Sequence, residues 1–190
     1  MVGDSLSAAY GIPADRGWVS LLQQRLREQG KDYRVINASI TGDTTHGGLT
    51  RLPKALQNHR PSVVIIELGG NDGLRGFDLE TTRSNLQEMI RLSRDAGATV
   101  LLLGVRLPAN YGKAYRERFS EVFSSLAAAE QVALVPAFML GISDHLDMMQ
   151  ADGIHPSAEA QEKLLENVWP TLLPLLQDKA TEQNRSISPD

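Results

Sequence analysis

The sequence predicts an α/β protein built on a parallel sheet with helices on both faces, and three observations predict it. Four apolar runs, residues 33–38, 62–68, 99–105 and 131–135, are rich in Val, Ile and Leu and do not alternate with polar residues, as strands covered on both faces behave. Segments with a helical apolar period separate them, which is the order that parallel crossovers need. Short Gly-containing polar loops follow the strands, where open parallel sheets bind ligands. The 190 residues suit one domain with a full core, expected over 1–177. A polar tail at 178–190 is expected to fray.

Each element has its own signal. Only Met1 and Val2 precede the GDSL motif, whereas a strand usually runs about 5–6 residues. The first strand is therefore expected to be truncated, or the chain to begin inside a precursor whose export signal has been removed. Trp18, Leu22 and Leu26 share a helix face, and Gly30 follows as a stop. The second strand is expected at 33–38. His46 and His59 fall in a surface helix and its end. After the strand at 62–68, Leu79, Thr82, Leu86, Met89, Ile90 and Ser93 form a helical stripe, opened by Asp78 and closed by Gly97. The strand at 99–105, a helix over 111–130 and the strand at 131–135 follow. The last helix is expected after His155-Pro156, capped by Ser157, with Ala160, Leu164, Val168 and Leu172 facing inward. Pro170 and Pro174 predict a break near Trp169.

Composition removes several function classes. A net charge of −4 gives no basic field for nucleic acid and no polybasic membrane patch. The absence of cysteine removes disulfides, thiolate metal sites and cysteine nucleophiles. No apolar run approaches the roughly 18–20 residues of a membrane span, and no signal peptide is visible.

Four polar blocks are expected to converge on one edge of the sheet: Gly3-Asp4-Ser5-Leu6-Ser7, 37–44, Gly69-Gly70-Asn71-Asp72-Gly73 and Asp152-Gly153-Ile154-His155-Pro156. Acyl transfer needs a nucleophile, a base, a group orienting the base, and donors for the oxyanion. Ser5 supplies a hydroxyl. Asp152 and His155 are three apart in a Gly-containing turn, so the carboxylate can fold back on Nδ1 while Nε2 faces Ser5. Gly42 has no side chain to keep a substrate from its N–H. The Asn71 amide and the Ser5 N–H are further donors.

These blocks, in this order, resemble the SGNH (GDSL) hydrolase superfamily. The longer stretches NASITGDT, IIELGGNDGLRGF, RLPANYG and MMQADGIHP are similar to its bacterial thioesterase I/protease I/lysophospholipase subgroup. The resemblance covers roughly residues 2–177. It implies a three-layer flavodoxin-like fold, with a five-stranded parallel sheet in the order 2-1-3-4-5. It also implies a Ser5, Asp152, His155 triad and an oxyanion hole of Ser5, Gly42 and Asn71. Leu107, Pro108, Tyr111 and Ile154 are expected to line the substrate pocket. The implied substrates are acyl thioesters, aryl and alkyl esters, and lysophospholipids, cleaved without metal or cofactor by an exported, periplasmic or secreted protein acting as a monomer.

Bland readings stand beside the sharp ones. A Gly-Asp-Ser turn is usually only a turn, Gly42 only a loop glycine, and Asn71 only a turn residue; their combination argues for chemistry. Asp4 is expected to tie its turn, and Asp43 and Asp72 to order loops. The Asp144-His145-Leu146-Asp147 cluster reads as a solvated loop. Met139, Met148 and Met149 could line an acyl channel or simply pack. One rival is a metal-dependent phosphoesterase, for which Ser5, Leu6 and Asp72 stand where histidine ligands would be useful. The other is a catalytically silent lipid- or carbohydrate-binding domain on the same fold. EDTA sensitivity separates the first rival, and covalent labelling of Ser5 the second.

Overall fold

The computed structural model describes residues 1–176; the expected frayed tail at 178–190 lies outside them. Four parallel strands form one sheet: β1 (Val2–Gly3), β2 (Val63–Glu67), β3 (Thr99–Leu103) and β4 (Ala133–Val135), in that spatial order. Helices α1 (Trp18–Glu28) and α6 (Gln161–Leu172) pack together on one face. Helices α2 (Thr45–His59), α4 (Leu79–Asp95) and α5 (Lys113–Glu130) cover the other, and the five-residue α3 (Gly70–Leu74) follows β2. The strands are buried on both sides, which explains why their sequence does not alternate.

The expected fifth strand does not form, so the five-stranded order 2-1-3-4-5 is corrected to four strands. Residues 33–38 do run along the free edge of β1. Met1 donates its N-terminal amine to the Ile36 carbonyl, Ala38 N–H donates to Met1, and Ile40 N–H donates to Gly3. With only two residues in β1, there is little ladder to join. The Arg51 guanidinium takes the Ala38 carbonyl, and the Gln23 side chain bonds Tyr33 O and Val35 N–H. The apolar content of the segment was legible, and so was the truncated first strand; the Arg51 and Gln23 bonds that take up the segment's free backbone groups were not.

The stripe on α4 is buried at all six expected positions, Leu79, Thr82, Leu86, Met89, Ile90 and Ser93. Asp78 accepts the Thr81 N–H at 2.8 Å as its N-cap. The helix expected to open at 111 begins at Lys113, after a 3-10 turn at Ala109–Tyr111. Helix α6 departs further from expectation: Ser157 does not cap it, and Ser157–Ala160 forms a separate turn before Gln161. Pro170 sits inside the helix, which ends at Leu172 rather than near Trp169 and passes into a 3-10 turn containing Pro174. By position 170 tertiary packing holds the helix: Leu164, Leu165, Val168 and Leu172 are all buried. Among the described residues no helix is long and apolar enough to cross a membrane.

Candidate active site

The loops after β1 and β2 and the segment before α6 meet at the carboxyl edge of the sheet. A cavity of about 470 Å³ opens there, and Ser5, Asn71 and His155 all stand in its wall. Directly after β1, residues 4–8 form a tight turn, closed by the Ser7 and Ala8 N–H groups on the Asp4 carbonyl. Asp4 Oδ1 accepts the Leu6 N–H at 3.0 Å, so the turn that presents Ser5 is held from inside by a carboxylate. Gly3 is required by the neighbouring strand, because a Cβ at this position would lie 2.8 Å from Glu67 Oε2.

Before α6 the chain makes a second turn, with Gly153 at φ +65°, a conformation that side chains resist. That turn folds Asp152 back on His155. Asp152 Oδ2 lies 2.7 Å from His155 Nδ1, and Oδ1 accepts the Ile154 and His155 N–H groups at 2.9 and 3.0 Å. The His155 backbone N–H, then its ring, then the Ile154 N–H hold the Asp152 carboxyl down to about 2, so it is ionised in the working range. His155 Nε2 stands 2.8 Å from Ser5 Oγ. The Tyr10 ring lies 4.4 Å from the imidazole and covers one side of it.

Among the described residues, the N–H groups of Ser5 and Gly42 donate to no protein acceptor, which leaves both available to a ligand. Gly42 does not stand in the cavity wall. Asn71 is more constrained. Its Nδ2 donates to Asp4 Oδ2 at 3.0 Å and to the Asp43 carbonyl at 2.9 Å, so each amide hydrogen already has an acceptor. The loop carrying Gly42 is fastened from two directions. Asp72 accepts both the N–H and the hydroxyl of Thr45, at 2.9 and 2.5 Å, and Asp43 accepts Arg51 Nε at 2.7 Å.

Leu107, Pro108 and Ile154 line the cavity, with Met139 and Met149; Met148 packs on the core instead. Tyr111 does not reach the wall. Its hydroxyl donates to the Leu74 carbonyl at 2.9 Å, so it braces the end of α3. His145 is exposed, as its polar surroundings imply, and among the described residues no group of three or more His, Asp or Glu could hold a metal ion. Sequence reasoning missed Tyr10 and Glu67. Tyr10 carried no signal, since nothing local pairs it with a histidine 145 residues away. Glu67 did carry one: it is an ionisable residue closing the apolar run Val63–Glu67.

Comparison with known proteins gives consistent likenesses. Residues 1–163 match the GDSL-like Lipase/Acylhydrolase family. The chain is 57% identical over 176 residues to "Esterase TesA" of Pseudomonas aeruginosa, covering 93% of this chain and 88% of that protein. It is 43% identical to "Thioesterase 1/protease 1/lysophospholipase L1" of Escherichia coli strain K12, covering 93% and 83%. A crystal structure of TesA superposes with a TM-score of 0.91 at 58% identity, covering 92% of this chain and 97% of that one.

Proposed function

Because the chain belongs to the GDSL-like lipase/acylhydrolase family, we propose that it hydrolyses carboxylic esters and thioesters through an acyl-enzyme on Ser5. One observation carries this reading: an unbroken line of hydrogen bonds, 2.7 Å from Asp152 to His155 and 2.8 Å from His155 to Ser5. A serine hydroxyl is inert until a base takes its proton, and an imidazole fixed by a carboxylate is such a base.

In the proposed reaction His155 Nε2 takes the Ser5 proton as Oγ attacks the acyl carbonyl. Asp152 keeps the ring in the Nδ1–H tautomer and stabilises the imidazolium. The oxyanion meets the Ser5 and Gly42 N–H groups, with Asn71 Nδ2–H as a third donor that shares a hydrogen already bonded within the protein. The imidazolium then protonates the departing alcohol or thiol. Water, activated by the same histidine, attacks the acyl carbon and frees Ser5.

The apolar part of the wall, Leu107, Pro108, Met139, Met149 and Ile154, suits an acyl chain. The names of the relatives support acyl thioesters, simple esters and lysophospholipids as the substrate range. The reading takes the protein as a monomer exported to the periplasm or secreted, acting on small molecules and not on nucleic acid. It requires no metal or cofactor.

A fluorophosphonate probe tests the assignment. A single adduct mapping to Ser5, with loss of p-nitrophenyl ester hydrolysis and no effect of EDTA, is the expected result. Folded protein that hydrolyses the ester yet takes no probe would overturn it.

A further inference from the structure

Glu67 ends β2 and has no accessible surface. Its Oε2 accepts two hydrogen bonds, from Ser7 Oγ at 2.8 Å and from the Asp4 backbone N–H at 3.3 Å. Ser7 is free to donate there, because its oxygen accepts the Trp18 indole N–H at 3.2 Å. The other oxygen, Oε1, is buried and meets no donor among the described residues. A charged carboxylate oxygen without a donor is costly in such surroundings, and a proton on that oxygen removes the cost.

The neighbouring carboxyl is arranged the opposite way. Asp4 is used as an acceptor on both oxygens, by Leu6 N–H and by Asn71 Nδ2, each at 3.0 Å. Its own backbone N–H donates to Glu67 Oε2, so the two carboxyls are neighbours. We propose that Glu67 is a positioning residue acting as a neutral acid: the proton sits on Oε1, and with no second charge beside it Asp4 stays the carboxylate acceptor that orients the Asn71 amide and the Ser5 turn.

The electrostatics agree with that placement. Burial raises both carboxyls, Asp4 to about 6 and Glu67 well above the ordinary range, with the charge of Asp4 raising Glu67 further. The Leu6 N–H and the Asn71 amide hold Asp4 lower, which favours Glu67 as the carboxyl that keeps the proton.

The effect on rate rests on Ser5 being the nucleophile; the position of the proton does not. Infrared difference spectra of wild type minus Glu67→Gln at neutral pH read the proton directly. The expected result is the carbonyl band of a protonated carboxyl, moved by exchange into heavy water. Carboxylate bands in its place would overturn the proposal.

The kinetic arm compares Glu67→Leu with Glu67→Gln. The leucine variant should lose about tenfold or more in kcat with little change in KM, the loss expected when the Ser7 hydroxyl and the Asp4 N–H are left without their acceptor. Glutamine, which is neutral and keeps an oxygen for both donors, should restore most of the rate. Equal losses in the two variants would also count against it. Wild-type protein that shows the protonated band but takes no fluorophosphonate would remove the nucleophile assignment and leave the Glu67 proton in place.

Discussion

One hydrogen of the Asn71 amide is committed to the Asp4 carboxylate, with Nδ2 3.0 Å from Oδ2, and the other to the Asp43 carbonyl. Asn71 is therefore both a tie between three loops and a candidate donor to the oxyanion. Its second acceptor makes the amide rigid, and a rigid donor needs no reorganisation when charge develops. Asn71→Ala should lower kcat by roughly 10²–10³, the usual loss for one oxyanion donor, with KM nearly unchanged. Steady-state kinetics on p-nitrophenyl esters measure this; a variant altered only in KM would mean that Asn71 binds substrate and does no more.

The hydrogen bond from His155 to Ser5 predicts that the two act as one unit. Ser5→Ala and His155→Ala should each reduce kcat by up to about 10⁶, and the double variant should lose no more than either alone. Additive losses in the double variant would contradict the shared proton path.

Asp152 predicts a pH dependence of stability. Its carboxyl is held at about 2, first by the His155 backbone N–H, against an ordinary value of 3.8. A depressed carboxyl contributes stability that is fully present above its unfolded value and disappears as pH falls through the folded one. The stability difference between wild type and Asp152→Asn should therefore be constant above about pH 5 and shrink from there toward about pH 2. Urea unfolding at a series of pH values tests this, and a difference that grows toward acid would reverse the assignment. At neutral pH the same variant should lose about 10⁴ in kcat, as expected when the orienting carboxylate is replaced by an amide.

The legible part of the site consists of residues whose chemistry is local. Asp152 and His155 find each other across one glycine turn, and Asp4 ties its own loop, so short spacing announces both. Placing Ser5 in contact with His155 required only that the loops share the sheet's carboxyl edge. The illegible part depends on what stands opposite. Residues 33–38 have the composition of a strand, and the truncated first strand is legible too, but the Gln23 and Arg51 side chains that hold the segment come from the helices before and after it. Ser157 has the chemistry of a cap, yet the first turn of α6 forms four residues later. Tyr111 lies in the expected loop, but its hydroxyl is bonded to the Leu74 carbonyl and the residue does not stand in the cavity wall.

The support beneath the Gly42 loop gives a last prediction. Thr45 is fully buried and donates its hydroxyl to Asp72 Oδ1 at 2.5 Å while accepting the Asn85 amide at 3.0 Å. Thr45→Val keeps the shape and removes the hydroxyl, leaving a buried carboxylate oxygen and a half-buried amide each short of a partner. That should cost about 1–3 kcal/mol of stability, read as a lower urea midpoint with an unchanged slope. Because Thr45 opens α2 three residues after Gly42, the loop that carries the Gly42 N–H loses one anchor, and kcat should fall with it. Thr45→Ser retains the hydroxyl and should recover both quantities. If valine lowers stability but leaves kcat untouched, the Thr45–Asp72 contact supports the fold alone, and the Gly42 loop is held well enough by Asp43 and Arg51.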